Sequence, residues 1–131
     1  MKVAIPTFNS RVSPRFDFAA KVLIAKVETG KVVDREYHSL INLNTIRRGT
    51  LLREQGVTVV ICGGISNFSV RLLSENGIKV IPMIAGELED VLEQFVIGHL
   101  VTSPVSFAQK VEKGRHGLRK GKWRGGRREA T

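Results

Sequence analysis

The sequence predicts an α/β domain in which helices cover a mixed β-sheet. The first observation is a hairpin, with strands at 21–28 and 31–38 joined by the two-residue turn Thr29-Gly30. The second is the β-branched run VTVVIC at 57–62, which is typical of a buried parallel strand. The third is the alternation of strands and helices after this hairpin, which indicates βαβ crossovers.

The predicted elements follow the order β-β-β-α-β-α-β-α. Gly49 and a loose apolar pattern weaken the prediction of the first helix. Ser66 is predicted to cap the second helix, which Gly77 ends. The third predicted helix has acidic residues in its first turn, which favour a helix, and it ends near Gly98. The predicted strands are 2–7, 21–28, 31–38, 57–62 and 78–81, and the predicted helices are 44–55, one after Ser66 and one from Glu87.

The net charge of +9 is concentrated at the C-terminal end of the 131 residues. Residues 110–131 contain nine Lys and Arg against two Glu, whereas the preceding residues contain twelve against ten. We therefore expect one nearly neutral domain, 1–104, followed by a basic tail, 105–131, which is too polar to bury a core and is predicted to be disordered.

Cys62 is the only cysteine, which excludes an intrachain disulfide and a four-cysteine zinc or iron–sulfur site within one chain. The N-terminal residues contain no apolar run of signal-peptide length, and no segment is long and apolar enough to cross a bilayer. We therefore expect a cytoplasmic protein without a membrane partner.

Polar residues collect where four predicted strands end, at one edge of the sheet. This edge would hold the loop 8–19, His38, the Cys62-Gly63-Gly64 turn and the Pro82-Met83 turn. Open α/β sheets bind ligands at the carboxyl ends of their strands. The loop offers two guanidinium groups and short polar side chains, which suit planar or multi-oxygen anions. A phosphate and a metal–sulfur cluster are both anionic, so the loop alone does not choose between them. The alternative is that both arginines lie in solvent or pair with Asp17. The loop candidates are Asn9, Ser10, Arg11, Ser13 and Arg15.

Cys62 is the candidate metal ligand, with Gly63 and Gly64 allowing close approach of a ligand to the backbone. The following helix would lower the pKa of the thiol through its dipole, so that a thiolate could bind metal. The alternative is that Cys62 is a small buried apolar side chain. His38 is a second candidate ligand, although a histidine at a strand end is often only partly exposed. His99 and His116 are weaker candidates.

Five landmarks carry a resemblance to a known family. They are KVAIP at 2–6, VSPRF at 12–16, GVTVVICGGI at 56–65, NGIKVI at 76–81 and an acidic final helix. In this order and spacing they resemble the dinitrogenase iron–molybdenum cofactor biosynthesis family, the NifX-type domain.

The resemblance implies a ribonuclease-H-like fold with five strands in the order 3-2-1-4-5, strand 2 antiparallel, and helices on both faces. It also implies an anionic metal–sulfur cargo, such as an iron–sulfur, iron–molybdenum or molybdenum–copper sulfide cluster, and an acceptor or scaffold protein as partner. A role in nitrogen fixation itself does not follow. Cys62 differs from the small apolar residue that usually precedes the glycine pair in the family.

These observations predict a small binding or carrier protein for such a cluster or its precursor. We expect no enzyme, because strands 2–7 and 57–62 contain no acidic residue for two-metal chemistry, and no catalytic triad, Walker motif or dinucleotide fingerprint is present. The alternative is an adaptor that binds nucleic acid or an acidic partner through the basic tail, where Trp123 would stack on a base.

Overall fold

A mixed β-sheet forms the centre of the structure, a computed structural model that describes residues 1–98 and the backbone of residues 109–110. Three helices cover the sheet, and a 3-10 helix, Phe16–Phe18, lies in the loop after β2. The strands of the sheet are β1 (Lys2–Phe8), β2 (Arg11–Val12), β3 (Lys21–Glu28), β4 (Lys31–Ser39), β5 (Val57–Ile61) and β6 (Lys79–Ile81). The helices are α1 (Thr45–Glu54), α2 (Asn67–Glu75) and α3 (Leu88–Val96). A separate small sheet pairs β7 (Ile84–Ala85) with β8 (Gln109–Lys110).

The main sheet has six strands, so the prediction of five strands is wrong. Five of them follow the path β4-β3-β1-β5-β6, in which β3 is antiparallel to β1 and β4, and β5 is parallel to β1 and β6. The sixth strand, β2, lies off this path and pairs with β1, so the predicted order is incomplete. A strand of two residues shows no periodic pattern, which is why the sequence did not reveal it. The ribonuclease-H-like assignment stays a prediction.

Both faces of the sheet are buried, as predicted, because side chains alternate along each strand. Val3 and Ile5 pack with α3 on one face, whereas Ala4 packs with α1 and α2 on the other. In β5, Val59 and Val60 belong to the two opposite cores. Burial on both faces explains the continuous apolar run in this strand.

Local sequence signals set several element ends. The turn Thr29-Gly30 is confirmed, and both residues have the positive φ that a type I′ hairpin requires, 48° and 74°. Ser66 is confirmed as the cap of α2, since its side chain accepts from the N–H of Ser69. Gly49 does not interrupt α1; a Cβ there would lie 3.2 Å from Nδ2 of Asn76, so the glycine lets α1 approach the end of α2 closely.

Most of the predicted basic tail lies outside the described residues, as do His99, His116 and Trp123. Within it, β8 runs parallel to β7, with Gln109 beside Ile84 and Lys110 beside Ala85. None of the helices in the described part of the chain has the length and apolar character needed to cross a membrane.

Candidate functional site

Three chain segments meet at the carboxyl ends of β1 and β5, as the predicted edge requires. The carbonyl of Gly63 accepts a hydrogen bond from the N–H of Met83 at 2.9 Å. The N–H of Gly64 donates to the carbonyl of Pro14 at 2.7 Å, and the N–H of Phe16 donates to the carbonyl of Gly64 at 2.8 Å. The loop after β1, the glycine pair and the turn before β7 therefore form one continuous edge.

Gly63 brings the backbone close to the loop rather than to a ligand. A Cβ on Gly63 would lie 2.6 Å from the carbonyl oxygen of Pro14 and 2.7 Å from that of Ser13. Real Cβ atoms essentially never make such contacts, and both neighbours are rigid backbone atoms. A Cβ on Gly64 would lie 3.3 Å from the carbonyl oxygen of Pro14 and 3.6 Å from Nη1 of Arg15. The two glycines therefore position the loop, and Arg15 lies above Gly64.

The first part of the loop is tied to the start of α3 through Glu87. Nη1 of Arg11 donates to Oε2 of Glu87 at 2.7 Å, and the hydroxyl of Ser10 donates to Oε1 at 3.1 Å. The carbonyl of Ser10 accepts from the N–H of Leu88 at 2.8 Å. Asn9, which has a φ of 56°, turns the chain between β1 and β2. The partner of Arg11 is therefore Glu87, not Asp17.

Arg15 presents its guanidinium group at the surface. Its Cζ lies 5.5 Å from the centre of the ring of Phe18, which is 78% exposed. Within residues 1–98, no carboxylate lies at ion-pair distance from Arg15. Ser13 is buried, and its hydroxyl donates to the carbonyl of Arg15 at 3.2 Å. Ser13 thus holds the backbone from which the Arg15 side chain projects.

Asp17 occupies the N-terminus of α2, a contact that the sequence did not suggest. Its carboxylate accepts from the N–H and the hydroxyl of Ser66, at 3.0 and 3.1 Å, and from the hydroxyl of Ser69. Burial alone would raise the pKa of Asp17, but the hydrogen bonds from Ser69 and Ser66 and the charge of Arg15 together lower it below its usual value. The positive end of this helix is therefore already occupied by a carboxylate of the chain itself.

Cys62 is a fully buried core residue. It packs in the same core as Ala4 and Phe16. Burial, with a further contribution from the charge of Asp17, raises the pKa of the thiol to about 12. The prediction that the following helix lowers this pKa is therefore wrong, because desolvation dominates and Asp17 cancels the helix terminus. The alternative prediction, a small buried apolar side chain, describes Cys62 better.

His38 lies away from the glycine pair. Its Nε2 is 3.0 Å from Oε1 of Glu36, in the edge strand β4. Two strands, β3 and β1, separate β4 from β5, so about 14 Å of sheet lies between His38 and Cys62. In the described residues, no group of three or more His, Cys, Asp or Glu side chains could hold a metal ion. Metal ligation by Cys62 and His38 stays a prediction.

Arg48 is a buried cation that the sequence analysis missed. It is 8% exposed, and it lies on α1 under the loops that surround the edge. Burial lowers the pKa of Arg48, and the charge of Asp17 partly offsets this effect. Its guanidinium donates to four backbone carbonyls: Leu43 at 3.0 Å, Phe16 at 3.1 Å, Ala19 at 2.7 Å and Leu40 at 3.3 Å. Arg48 thus joins the loop 16–19 to the loop 40–43.

Solved structures share this fold. The protein PH0822 superimposes with a TM-score of 0.72 at 22% sequence identity, and the match covers 79% of this chain and 96% of that protein. The apo form of the orange protein from Desulfovibrio gigas superimposes with a TM-score of 0.66 at 21% identity, covering 79% and 92% of the two chains. At these identities the likeness describes the fold alone.

Sequence comparison extends over most of the chain. The chain is 28% identical over 109 residues to the uncharacterized protein MJ0580 of Methanocaldococcus jannaschii, which covers 76% of this chain and 89% of that protein. Residues 1–98 match the family described as dinitrogenase iron-molybdenum cofactor. The chain therefore belongs to the dinitrogenase iron-molybdenum cofactor family.

Proposed function

We propose that the chain binds an anionic metal–sulfur cluster, or a precursor of one, at the edge formed by the loop 9–15 and Gly63-Gly64. The observation that carries this proposal is the position of Arg15. Its guanidinium is exposed beside Gly64 and has no carboxylate at ion-pair distance in residues 1–98. Membership of the family supports a role related to the iron–molybdenum cofactor.

Arg11 supplies a second charge at the same edge. The side chains of Arg11 and Glu87 are 54% and 40% exposed, so their ion pair is well hydrated. Exposed pairs of this kind contribute about 0.2–1 kcal/mol, which is less than a multiply charged anion gains from a guanidinium fork. An arriving cluster can therefore compete with Glu87 for Arg11.

Exposed apolar side chains complete the proposed surface. Phe8 pairs with Arg11 in the β1–β2 register, and Phe18 stacks with Arg15. Met83 is 41% exposed, and it lies at the same edge because its N–H donates to the carbonyl of Gly63. Thioether and aromatic groups are polarisable, so they suit the sulfide faces of a cluster better than the oxygens of a phosphate.

Non-covalent binding fits this chemistry better than ligation. A thiol with a pKa of about 12 is protonated at neutral pH, and the thiolate is the form that binds metal. His38 lies on the other side of β1 and β3 and contacts Glu36. A cluster that is held by ion pairs and van der Waals contacts can leave the protein without breaking a metal–ligand bond. We therefore propose a carrier or storage role, with an acceptor protein as partner and no catalytic step.

Anaerobic reconstitution tests this function. The purified chain is incubated with iron and sulfide, or with thiomolybdate and copper, then desalted and analysed for metal and visible absorption. We expect a coloured protein for the wild type and for Cys62→Ala, and a large loss of metal for Arg15→Ala with Arg11→Ala. Arg47→Ala is the matched control, because Arg47 is an exposed arginine on α1. A colourless wild type, or equal metal in the double variant, would contradict the proposal.

A further inference from the structure

Large apolar side chains are exposed where α1 and α2 begin. Strands β4 and β5 both run in the direction of β1, so the helices that follow them start at the same edge of the sheet. In the described part of the chain, the exposed apolar residues of the loop 16–19, the loop 40–43 and the first turns of these two helices are Phe18, Ile41, Ile46 and Phe68, each more than half exposed. We call these four residues the loop–helix surface.

Hydrogen bonds join the segments that carry this surface. The carboxylate of Asp17 accepts from the N–H and the hydroxyl of Ser66 and from a second hydroxyl at the start of α2. The guanidinium of Arg48, on α1, donates to two carbonyls of the loop 16–19 and to two of the loop 40–43. The loop that carries Phe18 is therefore fixed between the starts of α1 and α2, and the four side chains form one surface.

Three arginines border the loop–helix surface. Cζ of Arg15 lies 5.5 Å from the centre of the ring of Phe18. Arg47 is exposed in the first turn of α1, and Arg71 is exposed one turn into α2. None of the three has an ion-pair partner among residues 1–98. The carboxylate of Asp17 is already held by hydrogen bonds from α2, so this border is positively charged and suits an acidic occupant.

The residue types favour a protein over a lipid or a nucleic acid. Phe and Arg are enriched at protein interfaces, whereas Lys is depleted, and the three bordering cations are all arginines. A guanidinium forms bidentate pairs with carboxylates. Ile41 and Ile46 have no ring that could stack on a base, which is the contact that single-stranded nucleic acids use.

We propose that a partner protein binds the loop–helix surface through a segment that carries Asp or Glu beside apolar side chains. The apolar side chains of the partner cover the four exposed residues, and its carboxylates pair with Arg47 and Arg71. The inference names the chemistry of the acceptor protein and in that respect rests on the proposed carrier function. Because Arg15 belongs both to this border and to the edge 9–15, a partner bound here lies beside the cluster.

Two helical peptides probe the surface in the full chain. They share a face of Leu and carry either Glu or Lys on the other face, over about 15 residues so that each can form a helix. We expect the Glu peptide to shift the backbone amide NMR signals of residues 17–18, 41–47 and 67–71, and the Lys peptide to leave them unchanged. Vesicles of anionic phospholipid and a single-stranded oligonucleotide should shift these signals less than the Glu peptide does.

Matched charge reversals test the arginines. Arg47→Glu with Arg71→Glu should weaken binding of the Glu peptide by about tenfold, because two exposed ion pairs are lost. The control is Arg53→Glu with Lys79→Glu, which changes the net charge equally at exposed residues near the opposite edge of the sheet. The control should weaken binding by less than about threefold.

A separate substitution tests the apolar part of the surface. Phe68→Ser should weaken binding of the Glu peptide by about tenfold, because the apolar area that the ring buries in the complex is lost. Ile97→Ser is the control, since Ile97 is also about half exposed but lies at the end of α3. Metal content after anaerobic reconstitution is measured for the same variants, and all of them should keep the metal of the wild type.

Three results would overturn the proposal. The first is a Glu peptide that leaves the amides of the loop–helix surface unshifted. The second is an equal loss of peptide binding in the Arg47→Glu, Arg71→Glu variant and its control. The third is a larger shift with the vesicles or the oligonucleotide, which would assign the surface to a lipid or to a nucleic acid. A wild type that binds the Glu peptide here but gains no metal would support the surface and contradict the cluster function alone.

Discussion

The carboxylate of Asp17 holds the N-terminus of α2 through Ser66. Oδ2 accepts from the N–H of Ser66 at 3.0 Å, and Oδ1 accepts from its hydroxyl at 3.1 Å. This contact joins two segments that are 49 residues apart. Because the helix terminus is occupied, an anion at this edge depends on the arginines of the loop rather than on the helix dipole.

Replacing Asp17 by Asn should destabilise the protein and change its acid response. Loss of the charged cap should cost about 1 kcal/mol at neutral pH. Because the folded-state pKa of Asp17 is lowered, its contribution is present above the ordinary value of 3.8 and is lost as pH falls through the folded-state value. Urea unfolding of wild type and variant as a function of pH measures this.

The two stability curves should converge in acid, since protonation removes the same charge from the wild type. Asp90→Asn is the control, because Asp90 makes no ion pair within residues 1–98. A constant difference between wild type and Asp17→Asn at every pH would show that the charge of Asp17 does not contribute.

Replacing Arg48 by Met should cost about 3 kcal/mol, because it leaves the buried carbonyls of Phe16, Ala19 and Leu40 without their donor. The neighbouring exposed Arg47 provides the control, and Arg47→Met should change the free energy of unfolding by less than about 0.5 kcal/mol. Equal effects of the two substitutions, measured by urea unfolding, would rule out the proposed linkage of the loops by Arg48.

Gly63→Ala should destabilise the protein by about 1–3 kcal/mol, because the new Cβ meets the backbone oxygens of Pro14 and Ser13 at 2.6 and 2.7 Å. Gly49→Ala is the comparison within α1. Alanine is the better helix former by about 0.5–1 kcal/mol, and among the described residues its Cβ would meet a side-chain atom, Nδ2 of Asn76 at 3.2 Å, rather than backbone. Thermal unfolding should therefore show a much smaller loss of stability for Gly49→Ala than for Gly63→Ala. A neutral Gly63→Ala would mean that the loop does not pack on the glycine.

The free energy of unfolding of the wild type should fall more steeply at alkaline pH than that of Cys62→Ala, because only the wild type carries the buried thiol. The folded-state pKa is raised from 9.0 to about 12, so the protonated thiol stabilises the fold below pH 9.0, and this contribution is lost as pH rises towards the folded-state value. Between about pH 8 and about pH 10 the wild type should lose about 1 kcal/mol more than Cys62→Ala. Parallel curves in urea titrations at these pH values would contradict the burial of the thiol.

Local signals explain what the sequence could predict. Thr29-Gly30 and Ser66 act on residues one to three positions away, so their roles follow from the sequence. The β-branched run of β5 likewise identified a buried parallel strand. The order of these elements also predicted that the loop after β1 and the glycine pair after β5 lie at the same edge of the sheet.

Long-range contacts explain what the sequence could not predict. The partner of Arg11 is 76 residues away at Glu87, where the sequence predicted only the start of the third helix. Arg48 gives no signal of burial, because a charged residue is normally exposed and its partners are backbone carbonyls. The pKa of Cys62 depends on the packing around it, so the helix that follows could not decide it.

Equilibrium titration with thiomolybdate under anaerobic conditions tests the central claim most directly, namely that the loop arginines hold the anion without ligation by Cys62. We predict that Arg15→Ala weakens binding by about tenfold or more, since a charge-assisted hydrogen bond contributes about 1.5–3 kcal/mol, and that Cys62→Ala binds as the wild type does. Unchanged binding by Arg15→Ala together with lost binding by Cys62→Ala would contradict the claim.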